Sequence, residues 1–381
     1  MPLTDPTSPR LRHIEQARDL VLQGRSALGA SGISPWITQS WKRCMEMGLQ
    51  PAQGVNFEAV SAQHIRRVQE QSQPLVEAAQ PVLAELARAI ADIRYFAILT
   101  NTEGIVVDVH GPVDRQDRRA DVIARVGVDL SEKAVGTTAI SAALTELQAV
   151  WLHRGEHFFN DTGVYSCAGA PVFSPDGLCA GMLDLTGIET VERPALKHMV
   201  RRAARNIENS WLLSNAHALV LRINWPGNQP GDNSDGLLTL DPDGHIVGAN
   251  PAARQMLTLS PNLSGQPLHV SDVFASPWEN LFDAARHDTH VQELPLWSGL
   301  RLQTQALRPG KKPNDTAFAS APTQSQTMAP TESASKPLRD MQTHLIRETV
   351  TQVRGNVAEA ARILGISRAT VYRKLGIKNK A

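Results

Sequence analysis

Apolar positions along the chain change period several times, and each change marks an element. In SPWITQSWKRCMEMGLQP, Ile37, Trp41, Cys44 and Met45 recur at i, i+4, i+7 and i+8, the spacing of one helical face. Gly48 and Pro51 end that run. A second helix is predicted over residues 58–71, and residues 1–80 read as an N-terminal helical region. The period then falls toward two. YFAILT and IVVDV flank the turn NTEG (101–104), a predicted hairpin, and GAPVFSPDGLCAGMLDLTG (169–187) repeats the device around SPDG. Between them EKAVGTTAISAAL predicts a short helix and LQAVWL a strand. A long helix from about Pro194 to Leu221 closes a mixed unit over residues 81–222. Residues 223–306 form a smaller unit, in which LLTL, the turn DPDG, HIVGAN and a helix opening at Pro251 follow one another.

After residue 306 the pattern lapses. Residues 307–336 are dominated by Pro, Ala, Ser and Thr, with Phe318 and Met328 the only large apolar side chains between 308 and 335. Such a segment buries too little surface to offset the entropy of ordering, so a flexible linker is expected. Helical periodicity returns in residues 337–381. Leu338, Met341, Leu345, Ile346 and Val353 line one helix. Asn356 with Glu359 resembles a capping box for a second, whose stripe is Val357, Ala360, Ala361 and Leu364. Gly365 stands where a helix end needs a left-handed residue, and Ser367 caps a third helix running through Val371 and Leu375. Two short helices, a Gly-containing turn and small alanines at the crossing describe a helix-turn-helix. The chain as a whole reads as multidomain α+β, with an all-α module at its C-terminus.

Composition adds little until charge is mapped. The chain is neutral, with 38 Lys and Arg against 38 Asp and Glu. From Lys336 to Ala381, however, ten Lys or Arg face three Asp or Glu, a net +7 that leaves −7 on the rest. A basic tail on an acidic body points to nucleic acid as the tail's partner. The third helix sharpens this, because Arg368, Thr370, Arg373 and Lys374 share its solvent face with Tyr372 alongside. Residues at the start of such a helix reach base edges, and basic groups further along neutralise phosphates. MPLTDPTSPR places Pro and Asp where a signal peptide carries a basic end and an apolar run, and no apolar run is long enough to span a bilayer. A cytoplasmic protein is expected. Cys44, Cys167 and Cys179 suggest neither a disulfide framework nor a CxxC metal site.

GNVAEAARILGISRATVYRKL (355–375) resembles the Fis-type helix-turn-helix that ends many bacterial enhancer-binding regulators. Upstream, SWKRCMEMGLQP, VGVDLSEKAVGTTAISAAL and GEHFFNDTGVYSCAGAPVFSPDGLCAGMLDLTG are similar to the N-terminal region and GAF domain of the acetoin-catabolism and dihydroxyacetone (glycerol) operon regulators. DGLLTLDPDGHIVGANPAARQML resembles the opening of a PAS domain. The resemblance implies a pocket between the GAF sheet and its covering helices for a small-molecule effector. Thr137, Thr138, His157, Tyr165, Cys167 and Asp184 fall in the matching motifs, and each also has a purely structural reading. One departure stands out. Those regulators carry an AAA+ ATPase between sensor and DNA-binding module, but this sequence has no G-x-x-x-x-G-K-[ST] and no GAFTGA; its nearest Gly-Lys, Gly310-Lys311, lies in the linker.

The expectation is therefore a DNA-binding transcriptional regulator, not an enzyme, with neither metal nor cofactor. Its DNA contacts would come from Ser367, Arg368, Thr370, Tyr372, Arg373 and Lys374. Its partners would be double-stranded DNA, a small effector and a second copy of itself, with RNA polymerase or a full-length relative also open, and no membrane. Competing readings are a zinc hydrolase built on the H-x-x-E-H run His153 to His157 with Glu156, a redox protein using Cys167, and a co-sensor whose tail never touches DNA. Asp129, Glu132 and Asp184 lack a base or a phosphate loop to pair with and read as solvated or helix-capping. Trp36, Trp41, Trp151 and Trp211 read as core.

Overall fold

A computed structural model of the chain describes residues 9–23, 33–57, 60–261, 268–286 and 291–309. The linker beyond residue 309, the helix expected over 338–353 and the helix-turn-helix, with Ser367, Arg368, Thr370, Tyr372, Arg373 and Lys374, lie outside those residues.

Two N-terminal helices come first, α1 (Pro9–Leu22) and α2 (Pro35–Glu46). The helical face read from Ile37, Trp41 and Cys44 is buried, and it packs with Val21 against Phe158 and Phe159. The next helix departs from expectation. Instead of stopping at residue 71, α3 runs from Ala62 to Ile90, through Pro74 and Pro81 and past the domain boundary drawn at residue 80. A proline inside a helix frees the carbonyl four residues earlier. Here those residues are Glu70 and Glu77, which are exposed, as are both prolines, so water can take the orphan groups. The opposite face carries Val68, Leu75, Ala79, Leu83, Leu86 and Ile90 into the core, and this burial outweighs the loss of two hydrogen bonds.

The first sheet is antiparallel, in the order β2-β1-β5-β4-β3. Its strands are β1 (Tyr95–Asn101), β2 (Val106–His110), β3 (Val150–His153), β4 (Tyr165–Phe173) and β5 (Cys179–Ile188). Both expected hairpins, β1–β2 and β4–β5, are present. Period-two alternation sorts β1 between two cores: Tyr95, Ala97 and Leu99 face one way, Phe96 and Ile98 the other. The first face is covered by α3 and by α7 (Leu196–Ser214). The second is covered by three short helices, α4 (Arg118–Ile123), α5 (Glu132–Val135) and α6 (Ala139–Glu146). Helix α7 ends at Ser214, not Leu221. Leu219, Leu221 and Ile223 alternate instead into another core as β6 (Leu219–Asn224), so this run is a buried strand read as helix.

A second antiparallel sheet, β8-β7-β6-β10-β9, follows. It comprises β6, β7 (Gly236–Leu240), β8 (Ile246–Ala249), β9 (Val291–Pro295) and β10 (Arg301–Leu307), with helices α8 (Pro251–Leu257) and α9 (Glu279–Ala284). The tip of the β4–β5 hairpin docks on it. The carbonyl of Pro175 accepts from Ala249 N (3.0 Å) and from the buried Arg254 guanidinium (2.7 Å), while Asn250 donates to Asn209 of α7 (2.9 Å). All three cysteines are free, and Trp41 is buried while Trp36, Trp151 and Trp211 are half-buried. Among the described residues no helix is long and apolar enough to cross a membrane.

Gly181 tests the sheet register. A Cβ there would stand 2.1 Å from the Thr100 carbonyl oxygen and 2.9 Å from Leu75 Cδ2. Gly181→Ala is expected to lower the urea midpoint, at a cost of about 1–3 kcal/mol from overpacking. An unchanged midpoint would contradict this register.

Candidate functional site

Between the first sheet and α4–α6 lies a cavity of about 40 Å³. That exceeds the roughly 10–15 Å³ a single water needs, so the space suits a compact molecule. Strand periodicity builds its floor. Tyr165 and Cys167 on β4, and Asp184 and Thr186 on β5, share one face of the pleat, and Cys167 pairs with Thr186 across the strands. Ile98, Ile123, Leu130, Val135, Ala139 and Ile140 make the wall apolar, and Thr138, His157, Thr162 and Phe57 complete it. Phe57 and Val135 also border a surface groove beside His64 and Gly127.

Five of the six residues expected to bind an effector therefore surround one space: Thr138, His157, Tyr165, Cys167 and Asp184. Thr137 does not line it. Its hydroxyl lies 2.7 Å from Ser40 Oγ and 3.6 Å from Cys44 Sγ, so it ties α2 to the cavity roof. Thr138 caps α6, with its Oγ1 accepting from Ser141 N at 3.2 Å. Tyr165 donates to the Arg119 carbonyl at 3.0 Å. Cys167 is buried among apolar groups beside Thr186 (3.5 Å), and burial pushes its thiol well up, opposite to the activation a redox thiol needs.

Two polar atoms in the wall lack a partner among the described residues. His157 Nδ1 lies 2.9 Å from the Arg154 carbonyl, which can only accept, so the neutral ring carries its proton there and leaves Nε2 as an acceptor. Nε2 is buried with no partner among the described residues. Burial lowers His157 to about 4, which keeps the ring neutral at physiological pH. Asp184 corrects an expectation: it is neither solvated nor capping, but fully buried. Thr186 donates to its Oδ2, Oδ1 has no partner among the described residues, and desolvation pushes its pKa up to about 7. An unmade buried hydrogen bond costs about 1–3 kcal/mol, so each orphan atom favours a ligand that completes it.

The wall is held from outside by the N-terminal helices. Arg18 on α1 donates to the carbonyls of Gly155 (3.2 Å), His157 (2.8 Å) and Phe158, and to Asn160 Oδ1 (3.0 Å). Trp41 Nε1 donates to the Glu156 carbonyl at 2.9 Å, and Arg10 meets the Glu156 carboxylate at 3.0 Å. Arg43 grips Glu132 through two hydrogen bonds of 3.0 and 2.9 Å. Gly136, at φ +67, lets the roof pass Phe158, because a Cβ there would fall 2.8 Å from Phe158 Cβ. None of these arginines was singled out from sequence, since a lone Arg on a short helix carries no pattern. The H-x-x-E-H run straddles the end of β3 and a short 3-10 turn: His153 pairs with Ser166 (2.8 Å), and Glu156 accepts from the His153 backbone N–H. Among the described residues no cluster of His, Cys, Asp or Glu is arranged to hold a metal ion. Asp129 accepts from Ser131 N, a local turn role.

Residues 12–209 match the family model described as MimR, N-terminal domain. The chain belongs to that family. Its MimR-type region contains every residue lining the cavity, together with Arg18 and Arg43. Residues 337–376 match a second model, bacterial regulatory protein, Fis family. The acetoin catabolism regulatory protein of Cupriavidus necator is 30% identical over 263 residues, 66% of this chain and 38% of that protein. The propane 2-monooxygenase operon transcriptional activator MimR of Mycolicibacterium goodii is 27% identical over 197 residues, 51% of this chain and 32% of its own length. This MimR-family chain thus spans well under half the length of these curated relatives. A solved structure, the E. coli DhaR(N)–DhaL complex, overlays at TM-score 0.42 and 16% identity, covering 72% of this chain and 100% of that one. That score is too low to carry an argument.

Asp184 gives a test with a definite sign. Its folded pKa, about 7, lies above the ordinary carboxylate value. The native state then holds the proton that the unfolded state releases, so this group's contribution to stability falls as pH rises from roughly 4 to 7 and levels off above. Asp184→Asn removes that loss. Relative to the parent, the variant is expected to gain progressively, by on the order of 1–4 kcal/mol, across that window in urea titrations. A pH-independent difference would contradict the assignment; the other titrating groups are common to both proteins and cancel.

Proposed function

We propose that this protein is a sequence-specific DNA-binding transcriptional regulator whose first sheet unit is a GAF-type sensor for a small effector and whose second is PAS-like. The observation that carries this reading is the match of residues 337–376 to the Fis family, a helix-turn-helix, on a chain whose other end belongs to the MimR N-terminal family. Ser367, Arg368, Thr370, Tyr372, Arg373 and Lys374 are the residues proposed to meet DNA. The cavity supports the sensing half. Its size and apolar wall favour a compact, uncharged molecule, and it offers a hydrogen-bond acceptor at His157 Nε2 and an acid at Asp184. The proposal assigns the chain no ATP hydrolysis, because the sequence holds no phosphate-cradling glycine loop. It also places the protein in the cytoplasm as a homodimer, since one short recognition helix binds weakly and two half-sites suit a symmetric pair. RNA polymerase or a longer relative would receive the output. Whatever the effector, it shifts the equilibrium only by binding one arrangement of the sensor better than the other.

Arginine bonded bidentately to guanine contributes about 1–3 kcal/mol of base discrimination, whereas a phosphate-bound lysine contributes affinity without sequence preference. Arg368→Ala is expected to lower the preference for a selected site over random duplex, by roughly ten- to a hundredfold in fluorescence anisotropy. Lys374→Ala is expected to weaken both alike and to flatten the salt dependence. Equal affinity for selected and random duplex in the parent protein would overturn the DNA reading. On the sensor side, small neutral oxygenated compounds are expected to raise the melting temperature of the parent protein but not of His157→Phe, whose ring removes the acceptor. A compound that stabilises both equally would place the effector elsewhere.

A further inference from the structure

Helix α7 carries an unusual run of charge. Lys197, Arg201 and Arg205 recur at i, i+4 and i+8, one face of the helix, and the only carboxylate on α7 is Glu208. Several arginines elsewhere in the first sheet unit reach carboxylates, among them Arg10, Arg43, Arg115, Arg119 and Arg125, while Arg18 and Arg154 bond oxygens of amide groups instead. On α7 no cation forms an ion pair among the described residues. Lys197 and Arg201 meet no carboxylate among the described residues, while Arg205 donates to the Asn233 carbonyl at 3.4 Å and lies near enough to feel the carboxyls of Asp232 and Glu208 without a direct ion pair.

A solvated helix face would explain unpaired cations on a convex surface. These cations line a concavity. A cleft of about 370 Å³ opens between the two sheet units, bounded by α7, by Leu147–Ala149, by the end of β4 and by the start of α8. That volume falls in the range of small-molecule sites, about 300–1,000 Å³, and such sites favour domain junctions. Low-dielectric walls focus the field of like charges gathered in a cleft. Glu208 at the base is buried and accepts from the Phe173 backbone N–H at 3.0 Å. Burial pushes its carboxyl up to about 8, so at neutral pH it is mainly uncharged and does not cancel the cations. Gln148 and Gln255 add neutral donors at the rim, and Leu147 and Phe173 add apolar contact.

From this geometry we infer a second ligand site, in the cleft between α7 and α8, for a multiply phosphorylated small molecule held by Lys197, Arg201 and Arg205. Guanidinium forks match phosphate oxygens bidentately, and lysine adds a point charge. Along a helix, eight residues span about 12 Å, so the three cations can grip charges that lie apart on one ligand. Because α7 belongs to the first sheet unit and α8 to the second, such a ligand would bridge the two. The site is separate from the buried cavity and does not depend on what that cavity binds.

The test uses the full chain, with inorganic tripolyphosphate and fructose 1,6-bisphosphate as probes and citrate as a non-phosphate control at matched ionic strength. Calorimetric titration should show saturable binding of at least one phosphate probe at near-physiological salt, and which one binds separates an inorganic from a sugar-phosphate source. Lys197→Gln with Arg201→Gln should weaken that binding at least about tenfold, or about 1.4 kcal/mol. Arg66→Gln with Arg67→Gln, an equal loss of charge on the exposed face of α3, should leave it unchanged, as should Lys374→Gln. No saturable phosphate binding, equal binding of citrate, equal loss in the α3 control, or loss with Lys374→Gln in place of the α7 pair would each overturn the inference.

Discussion

Burial of two polar side chains in one small wall is the constraint on which the first sheet unit depends. His157 Nε2 and Asp184 Oδ1 are both buried without a partner among the described residues, in a wall that is largely apolar. Desolvation then fixes their chemistry: it holds the imidazole neutral and draws the carboxyl up toward neutrality. Neither state would survive if the loop carrying His157 opened to solvent. Leaving two polar atoms unsatisfied is costly, because buried polar groups are usually paired, and this cost is the ground for the effector site proposed above.

The N-terminal helices keep that wall closed. The segment from Arg154 to Asn160 makes a few local hydrogen bonds of its own, such as His157 N–H to the Arg154 carbonyl, and leaves other carbonyls to partners outside it. Arg18 adds donors accepted by the loop carbonyls of Gly155, His157 and Phe158 and by one side chain, while Trp41 takes the intervening Glu156 carbonyl and Arg10 its carboxylate. Apolar packing of Val21, Ile37 and Trp41 on Phe158 and Phe159 orients the donors. The same region meets the α5 end of the roof through Arg43 and Glu132. Two parts of the cavity lining, His157 and Thr138, are thus flanked by residues tied to one helical pair, which gives the wall a mechanical link to the start of the chain. At the opposite end of the sheet, the β4–β5 tip is tied to the second unit through Arg254, so β5, which carries Asp184, is anchored at its far turn as well.

Much of this was readable from the chain, and the reasons are specific. Alternation in YFAILT and in LCAGMLDLT set the hairpins and placed Asp184 on a strand, whereas Cys167 lay ahead of the hairpin drawn from Gly169 and falls on β4, which begins at Tyr165. Turn chemistry at NTEG, SPDG and DPDG set their ends. Errors arose where tertiary burial overrode a local rule. Pro74 and Pro81 would end an isolated helix, but on the solvent side of α3 they cost little against the stripe from Val68 to Ile90. Leu219 to Ile223 continued an apolar run whose period was too short to separate strand from helix. The state of Asp184 was hidden because one carboxylate in a strand gives no sign of its desolvation, and Thr137 was hidden because its motif neighbour Thr138 faces the cavity while it faces α2. Arg18 offered no periodic signal at all.

Nitrogen-15 NMR of the His157 side chain tests the buried wall most directly. The ring should remain neutral, with its proton on Nδ1, from neutrality down to about pH 5, in keeping with a pKa of about 4. Its Nε2 resonance should move when a compact hydroxyl-bearing molecule that stabilises the protein is added. A ring that titrates near the ordinary imidazole value of about 6.5, or an Nε2 signal indifferent to such a ligand, would mean that water reaches the site and that the orphan acceptor plays no part in binding.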